Sequence, residues 1–260
     1  MNTLKRGMVA AATLAIFAGS AMAQLHAGDI LLYAQSNRIV TGQVNVDTGL
    51  PEPGVRVFQA DFGESPNFTN DPGMDSDEGV FPPASAVGFT IRRALRKWDG
   101  LDFDAIPDER IQVKLGNLGP ILTPLNDTPV VGFSLAANSF GKFHHHWGYT
   151  LLSPASSGIY LLELELWSSA GIQTSEPYWL VFNQNDSQAN QDAAFAWVED
   201  NYLGGGCVAD FNHDGFVNGD VSDAFASVFD IADPAADINH DGFVNGDDYD
   251  MFASAFDAGC

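Results

Sequence analysis

The sequence predicts a mainly β body closed by one helix, followed by a small α-helical tail. Three observations predict it. Short aromatic and β-branched runs, separated by Gly, Pro and Asn-Asp, recur through the first 180 or so residues. One stretch near residue 195 carries apolar side chains at helical spacing. Beyond Gly204-Gly205-Gly206 the composition changes and an internal repeat begins.

The chain of 260 residues suits one large domain plus a small one. Its 45% hydrophobic and 12% aromatic content supplies a packed core and argues against global disorder. A formal net charge of -23 argues against nucleic acid, because phosphate binding needs clustered Lys and Arg. It also argues against electrostatic attachment to an anionic membrane surface. It suits cations and neutral partners.

Residues 1–23 read as a secretory signal peptide. Lys5 and Arg6 give a positive start, residues 8–18 are apolar, and Ala21-Met22-Ala23 supplies the small-x-small cleavage pattern. Gln24 is the expected first mature residue. The competing reading is an N-terminal membrane anchor. No later segment approaches 18 apolar residues, so no transmembrane segment is expected in the mature chain. The expected location is therefore secreted, outside the cell or at its surface, where disulfides persist.

The body spans residues 24–203. Strands are expected at 30–34, 39–46, 55–60, 87–91, 111–115, 130–135, 143–152, 159–167 and 178–182. Residues 188–203 form the one good helix, with Ala193, Ala194, Trp197, Val198 and Asn201 at helical spacing. Several strands with a single closing helix predict a β-sandwich or jelly roll. Residues 61–83 read as a long acidic loop rich in Pro and Gly, and loops of that length are often functional.

One constellation in the body points to chemistry. In Phe143-His-His-His-Trp-Gly-Tyr-Thr-Leu-Leu152, strand alternation puts His145, Trp147, Tyr149 and Leu151 on a core face and His144 and His146 on the other. If Leu152 pairs with Ile159 across a hairpin, Glu165 falls opposite His146 and Trp167 opposite His144. Two imidazoles about 7 Å apart at Cα, with a carboxylate alongside, could hold a zinc-like metal. The bland alternative is a solvated His/Glu face. The segment is similar to a domain of bacterial surface-anchored proteins, some tied to zinc uptake. His144, His146, Gly158 and Tyr160 match its pattern, and His26 fills the position of a histidine near the mature N-terminus. The assumed pairing, which supplies Glu165, and the resemblance, which supplies His26, together give a candidate metal set of His26, His144, His146 and Glu165.

No catalytic signature is present: no Gly-x-Ser-x-Gly, His-Glu-x-x-His, P-loop or dinucleotide fingerprint. Glu163 and Glu165 are spaced for a glycosidase pair, but two acids on one strand face are usually a polar surface.

The tail, residues 207–260, follows a glycine joint at 204–206. It holds 12 Asp and no Glu, Lys or Arg, so it repels itself unless a cation is supplied. Asp210-Phe-Asn-His-Asp-Gly-Phe-Val-Asn-Gly-Asp recurs 27 residues later from Asp237, with 16 of 21 positions identical. Oxygen donors at loop positions 1, 3 and 5, then glycine at 6, follow the calcium-loop pattern. The first site would use Asp210, Asn212, Asp214, the Phe216 carbonyl, Asn218 and Asp220. The second would use Asp237, Asn239, Asp241, the Phe243 carbonyl, Asn245 and Asp248. Val221 stands where the first loop wants an acid, so the second site is the stronger. Phe225 and Phe229, like Phe252 and Phe256, lie four apart on one helical face and can pack against the other repeat.

These residues resemble a type I dockerin, and in detail the GC-type dockerin-like domains that end in Gly-Cys, as Gly259-Cys260 does. The resemblance implies a small α module of two calcium loop-helix repeats. Its ends should lie close, which fits a Cys207–Cys260 disulfide, with a free Cys260 for covalent attachment as the alternative. It also implies a partner, a cohesin-like or cell-surface protein. The leading expectation is a secreted, non-enzymatic surface or binding protein, tethered by its calcium-binding tail, with a metal or carbohydrate ligand on the body. The rival is a component of an extracellular polysaccharide-degrading, cellulosome-like assembly, acting as a glycoside hydrolase. A third reading makes the tail a calcium-stiffened cap.

Overall fold

The computed structural model describes residues 28–203, 208–211, 217–238 and 243–259. The expected signal peptide, His26, the glycine joint, both cysteines, and residues 212–216 and 239–242 of the repeats lie outside the described residues.

The body is built on three sheets. The largest has the order Val130–Ala136, Ala86–Ile91, Gly158–Ser168, Tyr178–Gln184, Val57–Asp61, with Arg96–Lys97 added beside Gly158–Ser168. A four-stranded sheet runs Leu118–Leu122, Ile111–Leu115, Gly148–Leu151, Phe68–Thr69. A five-stranded sheet runs His144–His145, Met74–Ser76, Ile30–Gln35, Arg38–Val44, Pro51–Pro53.

The 11-residue strand Gly158–Ser168 is apolar on both sides because both sides are covered. Tyr160, Leu162, Leu164 and Leu166 point into the main core shared by all three sheets. Ile159 and Leu161 point the other way, to a second cluster under helix α1 (Gln188–Tyr202). Trp147, just before the four-stranded sheet, and Tyr149 within it meet Phe89 and Phe182 of the largest sheet, with ring centroids 4.8 and 5.1 Å apart. Each such burial contributes about 1.5–3 kcal/mol.

Helix α1 starts at Ser187, whose side chain accepts from the Asn190 N–H. The buried Gln191 ties the helix to the sheet, its Nε2 donating to the carbonyls of Ala60 and Val181 at 3.0 and 3.1 Å. On the face of Gly158–Ser168 opposite Leu164, Glu163 and Glu165 leave the apolar pattern and are met by Arg92 at 3.0 and 2.5 Å.

In the tail, α2 (Gly219–Phe229) and α3 (Gly246–Ala258) flank a single 3-10 turn, Pro234–Ala236. Phe225 and Phe252 stack across the two repeats, centroids 4.2 Å apart and planes 7° from parallel. Ala209, Val221 and Ala236 complete this small core.

The fold-class expectation is corrected in two respects. The body is a three-sheet structure, not a two-sheet sandwich or jelly roll. The cause is local. The expected strand 143–152 breaks after His145, and its halves join different sheets, while the expected loop 61–83 contributes Phe68–Thr69 and Met74–Ser76. In the tail, no pair of calcium loop-helix repeats is evident among the described residues. Several side chains expected to ligate do other work. Asn218 and Asn245 cap α2 and α3, accepting from the N–H groups of Asp220 and Asp247. Asp248, fully buried, accepts from the N–H groups of Ile238 at 2.9 Å and Asn245 at 2.8 Å. Its carboxylate closes a capping box.

Candidate metal centre

The five-stranded sheet brings together residues far apart in sequence. Ile30–Gln35 pairs in parallel with Met74–Ser76, and His144–His145 pairs antiparallel on the far side of Met74–Ser76, with His144 opposite Asp75. Asp29 enters that sheet just before Ile30, whose N–H donates to the Gly73 carbonyl at 2.9 Å. The first strand therefore delivers Asp29 beside the histidines.

Asp29, His144 and His146 present one ligand atom each to a common point. His144 Nε2 and His146 Nε2 are 3.3 Å apart. Asp29 Oδ2 lies 3.5 Å from the first and 3.6 Å from the second. Tetrahedral zinc with bonds of about 2.0–2.1 Å separates its ligand atoms by about 3.3–3.4 Å. The triangle already has that size. Asp29 is buried and the two histidines are half-buried, so the group is rigid on one side and reachable on the other.

The tautomer of His146 is fixed by its surroundings. Its Nδ1 faces two acceptors, Asp71 Oδ1 at 3.1 Å and the Asn70 carbonyl at 3.3 Å. Nδ1 therefore carries the hydrogen, and Nε2 turns its lone pair toward Asp29 and His144. A lone pair facing a carboxylate is repulsive without a cation or proton between them. A carboxylate behind a ligating imidazole is the usual support of a metal-bound histidine. Next to the triad, the fully buried Asp75 is paired with Lys142 Nζ at 2.9 Å.

A cleft of about 450 Å³ opens on Asp29 and Asp71, with Asp61 and Glu64 on its walls. His146 also borders a second cleft, of about 300 Å³, with Asn70, Lys114 and Thr150. The first is acidic and favours the approach of a cation.

The sequence expectations divide at this site. His144 and His146, expected on one strand face, both belong to the triad, although the strand ends at His145. His145 turns away and packs edge-on against Phe143, centroids 4.8 Å apart. Burial chiefly lowers its pKa, partly offset by a hydrogen bond with the Ala136 backbone, so it stays neutral. Glu165 and Trp167 are elsewhere. The strand Gly148–Leu151 pairs with Ile111–Leu115 and Phe68–Thr69, not with Gly158–Ser168. Glu165 stands opposite Thr90 and binds Arg92, and Trp167 stands opposite Gly88. Asp29 takes the carboxylate position instead. Asp29 and Asp71 carry no local sequence signal as ligand and support, although Asp71 falls in the acidic segment 61–83. Asp210, Asp220 and Asp237 lie near the described ends of the tail repeats, and Phe243 is exposed.

No helix among the described residues is long and apolar enough to cross a membrane. Comparisons with models of known protein families, with curated proteins and with solved structures found no match.

Proposed function

We propose that this chain is an exported protein that binds a divalent transition metal, zinc above others, on Asp29, His144 and His146. The observation that carries the reading is the triangle of ligand atoms with sides of 3.3, 3.5 and 3.6 Å. Two imidazoles suit zinc, iron, nickel or copper, and a single carboxylate beside them is a common third ligand of zinc. Calcium prefers six to eight oxygens, so it is a poor match for a site with two nitrogens. His26 is the fourth ligand in this proposal. It stands three positions before Asp29, within a chain reach of about 11 Å. When bound, the metal would supply positive charge where three electron-rich atoms converge. The chain's own contribution is to hold those atoms in place and to keep Nδ1 of His146 protonated through Asp71.

The test is elemental analysis and zinc titration of the purified mature chain beside a His144→Ala/His146→Ala variant. Stoichiometric zinc that disappears in the variant supports the reading. An unaltered chain that takes up no transition metal ends it.

A second reading concerns attachment. The 27-residue repeat and its resemblance to dockerins support a role for the tail as a tether to a surface protein. Calcium titration and a pull-down with the chain ending at residue 203 as control test it. Binding of a partner by both chains would remove the tail from that role. Release of sugar from a glycan panel would instead favour membership of a polysaccharide-degrading assembly.

A further inference from the structure

We infer that Gly73 is a positioning residue for the metal ligand His146, and that a side chain of any size at this position disables the site; this rests on the metal-binding reading above. The backbone of Gly73 is not in the left-handed region, so its conformation is one that alanine adopts. What forbids a side chain is the ring of His146. A Cβ placed on Gly73 would lie 2.5 Å from His146 Nδ1 and 2.6 Å from Nε2, with Cε1 between them nearer still. No backbone atom is among the three nearest.

The imidazole thus lies against the Cα of Gly73. The same edge is held by Asp71 and the Asn70 carbonyl through Nδ1. The carbonyl of Gly73 meanwhile receives the Ile30 N–H, which fixes the entry of Asp29. One residue therefore sets the distance between two ligands: its carbonyl places Asp29 and its missing side chain admits His146. A methyl group needs about 3.5 Å from ring atoms, so it would push the ring by about 1 Å. Metal sites tolerate ligand displacements of about 0.2 Å. The ring is the end of a flexible side chain, so it yields before the sheet does, and the ligand is lost while the fold stays.

The experiment is a double-mutant cycle on the mature chain. Zinc affinity is measured by competition with a chromophoric chelator for the unaltered chain, Gly73→Ala, His146→Asp and the double variant. Gly73→Ala should raise the zinc Kd about 10- to 100-fold. A carboxylate in place of the ring leaves room for the methyl, so in the His146→Asp background the same change should alter Kd less than about threefold. The cobalt(II) absorption spectrum should change with Gly73→Ala in the ring background, as a displaced nitrogen alters the ligand field. Equal affinity of Gly73→Ala and the unaltered chain overturns the inference, as does an equal loss in both backgrounds. If Gly73→Ala melts early without metal, His146→Asp must restore the melting point, and failure to restore it also overturns the inference. An unaltered chain that binds no zinc ends the metal reading itself, and is recognised as such before any variant is compared.

Discussion

Replacing His144 and replacing His145 should have opposite consequences, although the two residues are neighbours in a run of three histidines. His144 Nε2 forms two sides of the ligand triangle, 3.3 Å to His146 and 3.5 Å to Asp29. His145 faces Phe143 instead. Structural zinc sites with four ligands bind with about 10–16 kcal/mol, so one ligand carries about 2.5–4 kcal/mol. At about 1.4 kcal/mol per decade, His144→Ala should weaken zinc binding about 100- to 1,000-fold. His145→Ala should leave the zinc Kd within about threefold, while the lost packing on Phe143 lowers stability by about 1 kcal/mol. Chelator competition measures the first quantity and urea denaturation of the metal-free chain the second. The reasoning fails if His145→Ala costs as much zinc affinity as His144→Ala, because the alternation that separates their faces would then be wrong. It fails equally if neither substitution matters.

Three further outcomes follow from the same contacts. Asp71→Ala removes the acceptor that holds the hydrogen on His146 Nδ1, and should weaken zinc about 10-fold or more without lowering stoichiometry; isothermal titration checks this. Gln191→Leu leaves the carbonyls of Ala60 and Val181 buried without their donor, and should cost about 2–4 kcal/mol in denaturant unfolding while zinc affinity is unchanged; a loss below half a unit of that range would show that water replaces the side chain. Phe225→Ala empties the stack on Phe252, at about 3–5 kcal/mol, which rivals the whole stability of so small a core. Hydrogen exchange should then show α2 and α3 losing protection together while the body keeps its own; protection retained in α3 would mean that the two repeats fold independently.

Much of the local structure was legible before any coordinates. The expected strand 111–115 and the helix from 188 onward agree with Ile111–Leu115 and Gln188–Tyr202, because each has a clear period and a marked boundary. The repeat predicted that the pair Phe225 and Phe229 packs against the repeat carrying Phe252 and Phe256, since neither helix can bury its apolar face alone, and the structure picks out Phe225 on Phe252. The two-residue period of a strand predicted that His144 and His146 act together, and they do meet in the triad, although the strand itself ends at His145. What failed was pairing. Strands adjacent in sequence are neighbours about two times in three, and the turn after Leu152 is one of the others. It carries the chain from one sheet to the next, which moves Glu165 away from the histidines and onto Arg92.

Sequence by itself determined some of the elements, such as Ile111–Leu115 and Gln188–Tyr202, the change of character at the glycine joint and the two histidines of the site. These depend on contacts between residues a few positions apart, and short periods record them. Only the tertiary structure decided that Asp29 completes the triad, that Asp71 orients His146 and that Gly73 leaves room for its ring. Those residues meet through a parallel pairing of Ile30–Gln35 with Met74–Ser76 and an antiparallel pairing of Met74–Ser76 with His144–His145, which join segments 40 to more than 100 residues apart. No periodicity spans such a distance. The pairing is set by which strands together bury the common core, a property of the whole body and of no single segment.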